Sequence, residues 1–147
     1  MAGSSITVAV DDRALRRALA RLQDAGGDPD RAWRDIGEHL LETTRERFRT
    51  ETSPGGDSWA PLSERYRRRK QRNADKILTA RGTLSGTLTY QVGDGELRVG
   101  SNRVYAATHQ FGRGPIPARP FLGLSDDDRD YVLEALTDHL NRVLREG

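Results

Sequence analysis

The sequence contains no cysteine and a single methionine among its 147 residues. The lack of cysteine excludes disulfide bonds and thiolate metal sites. No apolar run approaches the ~20 residues that a membrane-spanning helix needs. The opening residues, MAGSSITVAV, have neither the charged start nor the long apolar stretch of a secretion signal. We therefore expect a soluble protein made in a reducing cytoplasm.

Charge of one sign is also lacking, although charged residues make up 31% of the chain. Lys and Arg number 24 and Asp and Glu number 22, which leaves a formal net charge of +2. Because affinity for nucleic acid grows with the number of phosphates neutralised, this balance argues against a protein that binds nucleic acid over its whole surface. The length suits a single domain, residues 1–147, with a modest core.

Strand patterns occur at two places. Residues 5–10 (SITVAV) alternate and are β-branched, which predicts a strand. Residues 88–92 and 97–99 alternate on either side of Gly93-Asp94-Gly95, which predicts a β-hairpin with a tight turn.

Helical spacing of apolar residues predicts four helices, and each begins after a residue that favours a helix N-terminus. Trp33 lies in the apolar stripe of the second helix and is interpreted as a core anchor. Ser125 with Asp128 three positions later has the pattern of a capping box. The predicted helices follow Asp12, Asp28, Ser63 and Ser125. Together with the strands they predict an α+β fold, in which a small antiparallel sheet of N-terminal strand and central hairpin packs against three to four helices.

Residues 105–124, YAATHQFGRGPIPARPFLGL, interrupt this pattern. Their glycines and prolines prevent a continuous helix or strand and predict a long extended loop. Such a loop is uncommon unless it binds something or is packed down. Tyr105 and Phe121 are interpreted as loop anchors, as is Trp59, for which ligand stacking or partner binding is the alternative. The residues predicted to contact a partner are His109, Phe111, Arg113 and Arg119.

Residues 65–76 form the densest charge run, with seven cations against the single acid Asp75. The first interpretation is a solvated segment or a contact with an acidic protein. A DNA-contacting module is the alternative, although Tyr66 is the only aromatic residue available for base stacking. Either contact would use the cations of this run, which ends at Lys76. The residues predicted to make it are Arg65, Arg67, Arg68, Arg69, Lys70 and Arg72.

No catalytic constellation can be assembled from the sequence. His109 has no second His or acid at metal-ligand spacing, and Gly112-Arg113-Gly114 lacks the lysine and hydroxyl of a phosphate loop. The adjacent acids of residues 126–128 suit a helix cap better than a divalent cation. We therefore predict no catalytic residue, no metal, no cofactor and no enzyme activity. A hydrolase would need a pocket that unites His109 with two carboxylates.

Four motifs follow one another in the order GGDSWAPLSERYRRRK, KILTARGTLSGTLTYQV, VGSNRVYAATHQFG and IPARPFLGLSDDD. The combination of YA-x-x-HQFG with PARPF is specific, whereas either half alone would be weak. This order resembles the phage virion morphogenesis family, the tail-completion proteins of Mu-like and P2-like contractile-tailed phages. The resemblance covers the chain from Trp33 to its last residue.

The resemblance implies a structural α+β protein that completes the tail and enables head–tail joining by contact, without catalysis. Its partners would be the tail tube or tail terminator and the head–tail connector proteins. It would form a homo-oligomeric ring at the head–tail junction of the virion, after synthesis in the host cytoplasm. The resemblance leaves open whether it is a monomer in solution. Ring assembly requires each subunit to offer two different faces. We expect Arg119→Ala to weaken assembly while leaving the fold intact, and we expect no membrane contact.

Overall fold

The structure is a computed structural model, and it describes residues 4–7, 13–61, 86–93, 96–103 and 106–146. Regular structure within these ranges consists of three strands and four helices. The strands are β1 (Ser4–Thr7), β2 (Thr89–Gly93) and β3 (Glu96–Ser101). The helices are α1 (Arg13–Asp24), α2 (Pro29–Thr50), α3 (Ala106–Phe111) and α4 (Asp126–Glu146).

The strands form an antiparallel sheet with β3 in the centre, in the order β1-β3-β2. Val99 of β3 lies opposite Ile6 of β1 on one side and Tyr90 of β2 on the other. The predicted hairpin and the pairing of the N-terminal strand are thus confirmed. Residues 8–10 of the predicted first strand and the turn residues 94 and 95 lie outside the described ranges.

Helix α2 packs against both the sheet and α4. It contributes Trp33, the largest fully buried side chain of the described residues. Trp33, Ile36 and Leu40 are buried along its apolar stripe, as the helical spacing predicts. Gly37 lets the helix approach β2 closely, because a Cβ atom there would lie 2.6 Å from the ring of Tyr90. The α+β class predicted from the sequence is confirmed, and no helix in the described ranges is long and apolar enough to cross a membrane.

The helix ends use the capping chemistry that the sequence predicts. At the start of α2, the Asp28 carboxylate accepts a hydrogen bond from the backbone N–H of Asp30 at 3.0 Å. At the start of α4, the backbone N–H of Asp128 donates to the Ser125 hydroxyl at 3.0 Å, and the backbone N–H of Ser125 donates to the Asp128 carboxylate at 3.1 Å. The predicted capping box is therefore confirmed.

The predicted long loop begins with regular structure, which corrects part of the expectation for residues 105–124. Residues 106–111 form helix α3, because the first backbone breaker of the segment is Gly112. The remainder up to the start of α4 has no helix and no extended strand, apart from an isolated bridge between Arg113 and Ile116. Tyr105 lies outside the described residues, so its predicted anchoring role stays a prediction.

Candidate docking surface

Residues 117–122, here called the arm, run beside the C-terminal half of α3. The Gln110 side-chain carbonyl accepts hydrogen bonds from the backbone N–H groups of Phe121 and Leu122, both at 3.0 Å. Its amide donates to the carbonyl of Leu122 at 3.0 Å. The Arg119 backbone N–H donates to the carbonyl of His109 at 2.7 Å. The arm is therefore bound along its backbone, although it belongs to no regular element.

Arg119 faces the interior, and its side chain is only 6% exposed. Its Nε donates to the carbonyl of Ala60 at 2.7 Å and its Nη2 to that of Pro61 at 2.9 Å. Burial lowers the pKa of its guanidinium. These contacts revise the expectation that Arg119→Ala leaves the fold intact, because Arg119 fastens the arm to the turn-rich segment before it. Its predicted contact with a partner stays a prediction.

Trp59 and Phe121 both pack against Phe48 of α2. The ring centroids of Trp59 and Phe48 are 5.3 Å apart in an edge-to-face arrangement, and those of Phe121 and Phe48 are 5.4 Å apart. Both Trp59 and Phe121 are buried. The indole N–H of Trp59 also donates to the carbonyl of Pro120 at 2.7 Å. Phe121 thus packs the arm against α2, and Trp59 connects α2 to the arm through Pro120.

Sequence reasoning missed a buried arginine at the end of the arm. The Nη1 of Arg47 donates to the carbonyls of Phe121 and Gly123 at 2.9 and 3.2 Å, and its Nη2 lies 2.6 Å from Oδ2 of Asp128. Burial lowers the pKa of Arg47, while the Asp128 carboxylate opposes this shift. Helical spacing could have indicated this burial, since Arg47 stands seven residues after the buried Leu40 on the same helix face.

Residues 111–116, here called the tip, connect α3 to the arm. Phe111 is 73% exposed and Ile116 is 41% exposed, and Arg113 between them is also exposed. The backbones of Arg113 and Ile116 exchange two hydrogen bonds of 2.9 Å, which close a tight turn. Gly112 allows this turn, since its φ is +79° and an added Cβ would lie 2.9 Å from two backbone atoms. The tip therefore presents apolar side chains and one cation on an ordered backbone.

His109 is half-buried on α3, where burial and the neighbouring Arg119 lower the pKa of its imidazole. Its backbone carbonyl helps to hold the arm by accepting from Arg119.

No cluster of three or more His, Asp or Glu side chains within the described ranges could hold a metal ion. His139 of α4 is buried, and its Nε2 lies 2.7 Å from the carboxylate of Asp35.

An open groove of about 840 Å³ lies between α2, residues 52–56 and the first turns of α4. His39 and Tyr131 stack in its wall, with ring centroids 3.6 Å apart. Nε2 of His39 also lies 3.5 Å from Oδ1 of the buried Asp128. Six carboxylates contribute to the groove lining. They are those of Glu46, Asp126, Asp127, Asp128, Asp130 and Glu134.

The cations of residues 65–76 lie outside the described part of the chain. Their predicted contact with DNA or an acidic protein stays a prediction. The residues concerned are Arg65, Arg67, Arg68, Arg69, Lys70 and Arg72.

Comparison with known proteins supports the family resemblance that the motifs indicate. The model of the phage virion morphogenesis family matches residues 10–141. Protein G of Escherichia phage Mu, provisionally named a capsid assembly protein, is 30% identical over 154 positions that cover 96% of this chain and 97% of that protein. The Mu-like prophage FluMu G protein 1 of Haemophilus influenzae is 32% identical over 77% of this chain and 80% of its own length. No solved structure matches the chain significantly. The chain belongs to the phage virion morphogenesis family, as its motifs indicated.

Proposed function

We propose that this protein completes the phage tail and makes it competent to join the head. Membership of the virion morphogenesis family supports a role in particle assembly. The observation that carries a contact role is the tip, where Phe111 and Ile116 are exposed on a backbone that is already ordered. Exposed apolar groups that need no further ordering are suited to binding another protein, since less conformational entropy is lost on association.

The proposed action is contact without catalysis. The buried charged groups near the tip have structural partners: Arg119 binds the carbonyls of Ala60 and Pro61, and Arg47 binds Asp128. These contacts hold the arm in place. A role that depends on shape requires this kind of support, because the tip can meet its partner in one orientation only if the arm is fixed.

The proposed neighbours are the tail tube or tail terminator on one side and the head–tail connector on the other. The protein would act at the head–tail junction as a ring of identical subunits. A ring requires heterologous contacts, in which two different faces of the chain meet around a closed circle. The tip offers one such face.

The experiment is a deletion of the gene in its phage, complemented with variants of the protein. Phe111→Asp introduces a charge at the exposed tip, and Leu144→Asp introduces the same charge at a site on α4 that is 61% exposed. We expect the deletion and Phe111→Asp to accumulate separate filled heads and tails in electron micrographs. The Leu144→Asp variant should give joined, infectious particles.

Two outcomes would overturn the proposal. Joined particles from the deletion strain would show that the protein is dispensable for joining. Complete tails without any assembled heads would instead assign it to head assembly. Each variant should first be shown to be folded by circular dichroism, so that a loss of joining reports on contact rather than on unfolding.

A further inference from the structure

We propose that the tip of one subunit docks in the acidic groove of a second copy of this chain. This inference deepens the proposed function and rests on it only for the idea that copies of the protein assemble in the virion. It names both faces of the contact: residues 111–116 on one copy, and the groove between α2, residues 52–56 and α4 on the next.

The tip has the chemistry of an inserting element. Phe111 and Ile116 expose apolar surface, and Arg113 adds a positive charge between them. Aromatic residues and arginine are enriched at the energetic centres of protein interfaces. Because the hydrogen bonds between Arg113 and Ile116 already close the turn, docking would not have to order this backbone.

The groove has the complementary chemistry. Its single arginine, Arg47, is bound to the buried Asp128, and Glu46 is paired with Arg49. The acidic surface is therefore supplied by Asp126, Asp127, Asp130 and Glu134. Asp126 and Asp127 also complement the positive end of α4, but Asp130 and Glu134 lie one and two turns further along. Pro54, Leu124 and Tyr131 add apolar and aromatic surface. An apolar element with a guanidinium therefore finds both kinds of partner in one place.

The occupant must come from another copy rather than from the same chain. None of the residues 111–116 lines the groove. The arm that follows the tip is held by Gln110 and Arg47, which both bind backbone groups around Phe121. A tip that moved into its own groove would have to disturb these hydrogen bonds. Docking between copies leaves them intact, and repetition of this heterologous contact closes a ring or extends a filament.

The test alters each of the two faces in its own variant of the chain. The tip variant carries Phe111→Ala with Arg113→Glu, and the groove variant carries Asp130→Arg with Glu134→Arg. The control carries Leu144→Ala with Arg145→Glu, which changes one apolar and one charged residue at the far end of α4. Association is measured by sedimentation velocity at low salt over rising protein concentration.

We expect the wild type and the control to associate. The tip variant and the groove variant, each measured alone, should remain monomeric. An equimolar mixture of the tip and groove variants should form dimers and stop there, because the tip variant retains a groove and the groove variant retains a tip. Added salt should dissociate the wild-type assemblies, since it screens charge pairs at the rim of the contact.

A wild type that stays monomeric at every concentration overturns the inference, as does a mixture that fails to dimerise. If the groove variant does not fold, a single chain carrying both Arg113→Glu and Glu134→Arg replaces it. That chain should associate, whereas Arg113→Glu alone should not, and equal behaviour of the two also overturns the inference. If the wild type is monomeric while Phe111→Asp still prevents head–tail joining, only this inference fails, and the tip contacts a different virion protein.

Discussion

Arg47 and Asp128 are 81 positions apart in the sequence, yet Nη2 of the arginine lies 2.6 Å from Oδ2 of the aspartate in the protein interior. The same aspartate caps α4 through Ser125, and the same arginine binds the carbonyls of Phe121 and Gly123. One buried pair thus ties the end of α2, the start of α4 and the arm together. Both residues line the groove, and Arg47 also holds the arm that follows the tip.

Asp128→Ala should lower the free energy of unfolding by roughly 3–5 kcal/mol, because it leaves the buried Arg47 without its opposite charge. The loss of the α4 cap adds to this effect. Chemical denaturation measures the change. Asp127→Ala is the matched control at an exposed neighbouring site and should cost less than about 1 kcal/mol through the helix dipole alone. Equal losses for the two variants would contradict a structural role for the pair.

Arg119→Ala should destabilise the protein by about 2–4 kcal/mol, since it leaves the carbonyls of Ala60 and Pro61 without their donor. Arg113→Ala removes the same side chain from an exposed position of the tip and should change stability by no more than about 0.5 kcal/mol. Thermal or denaturant unfolding of the two variants distinguishes the buried arginine from the exposed one. A stable Arg119→Ala protein would restore the interpretation of this residue as a partner contact.

Gly112→Ala should loosen the tip, whereas Gly114→Ala should be tolerated better. Both glycines have positive φ, but only at Gly112 would the new Cβ meet backbone atoms, at 2.9 Å from Ala118 N and Ile116 O. We expect a cost on the order of 2 kcal/mol at Gly112 and about 1 kcal/mol at Gly114. Trypsin cleavage after Arg113 reports local opening, and it should be faster in Gly112→Ala. Faster cleavage in Gly114→Ala would argue against the close backbone approach.

His109 should make the protein less stable in acid. Burial and the neighbouring Arg119 lower the pKa of its imidazole below the ordinary 6.5. Below that pH the unfolded chain binds a proton that the folded chain resists, so the stability present at neutral pH is lost on acidification. The difference in unfolding free energy between the wild type and His109→Gln, followed from neutral pH to about pH 5, isolates this residue. We expect it to shift against the wild type in acid, and a pH-independent difference would refute the assignment.

The sequence by itself determined helices α1, α2 and α4, the hairpin, the capping box at Ser125 and the family. The helix predicted after Ser63 lies outside the described residues. These features depend on neighbours in the chain: the period of apolar residues, the turn at Gly93 and the hydroxyl that reaches an N–H three residues away. The apolar stripe of α2 also placed Trp33 in the core. Local patterns of this kind can be recognised without knowing what each element packs against.

Only the tertiary structure decided which charged side chains lie inside. Arg113 and Arg119 stand six positions apart in one irregular segment, where no period assigns a face, yet the first is exposed and the second is buried. The burial of Arg119 depends on Ala60 and Pro61, which are more than fifty residues away in the chain. The burial of Arg47 likewise depends on Asp128 in another helix. A buried charge is tolerated only where distant chain segments supply its partners, and folding alone brings those segments together.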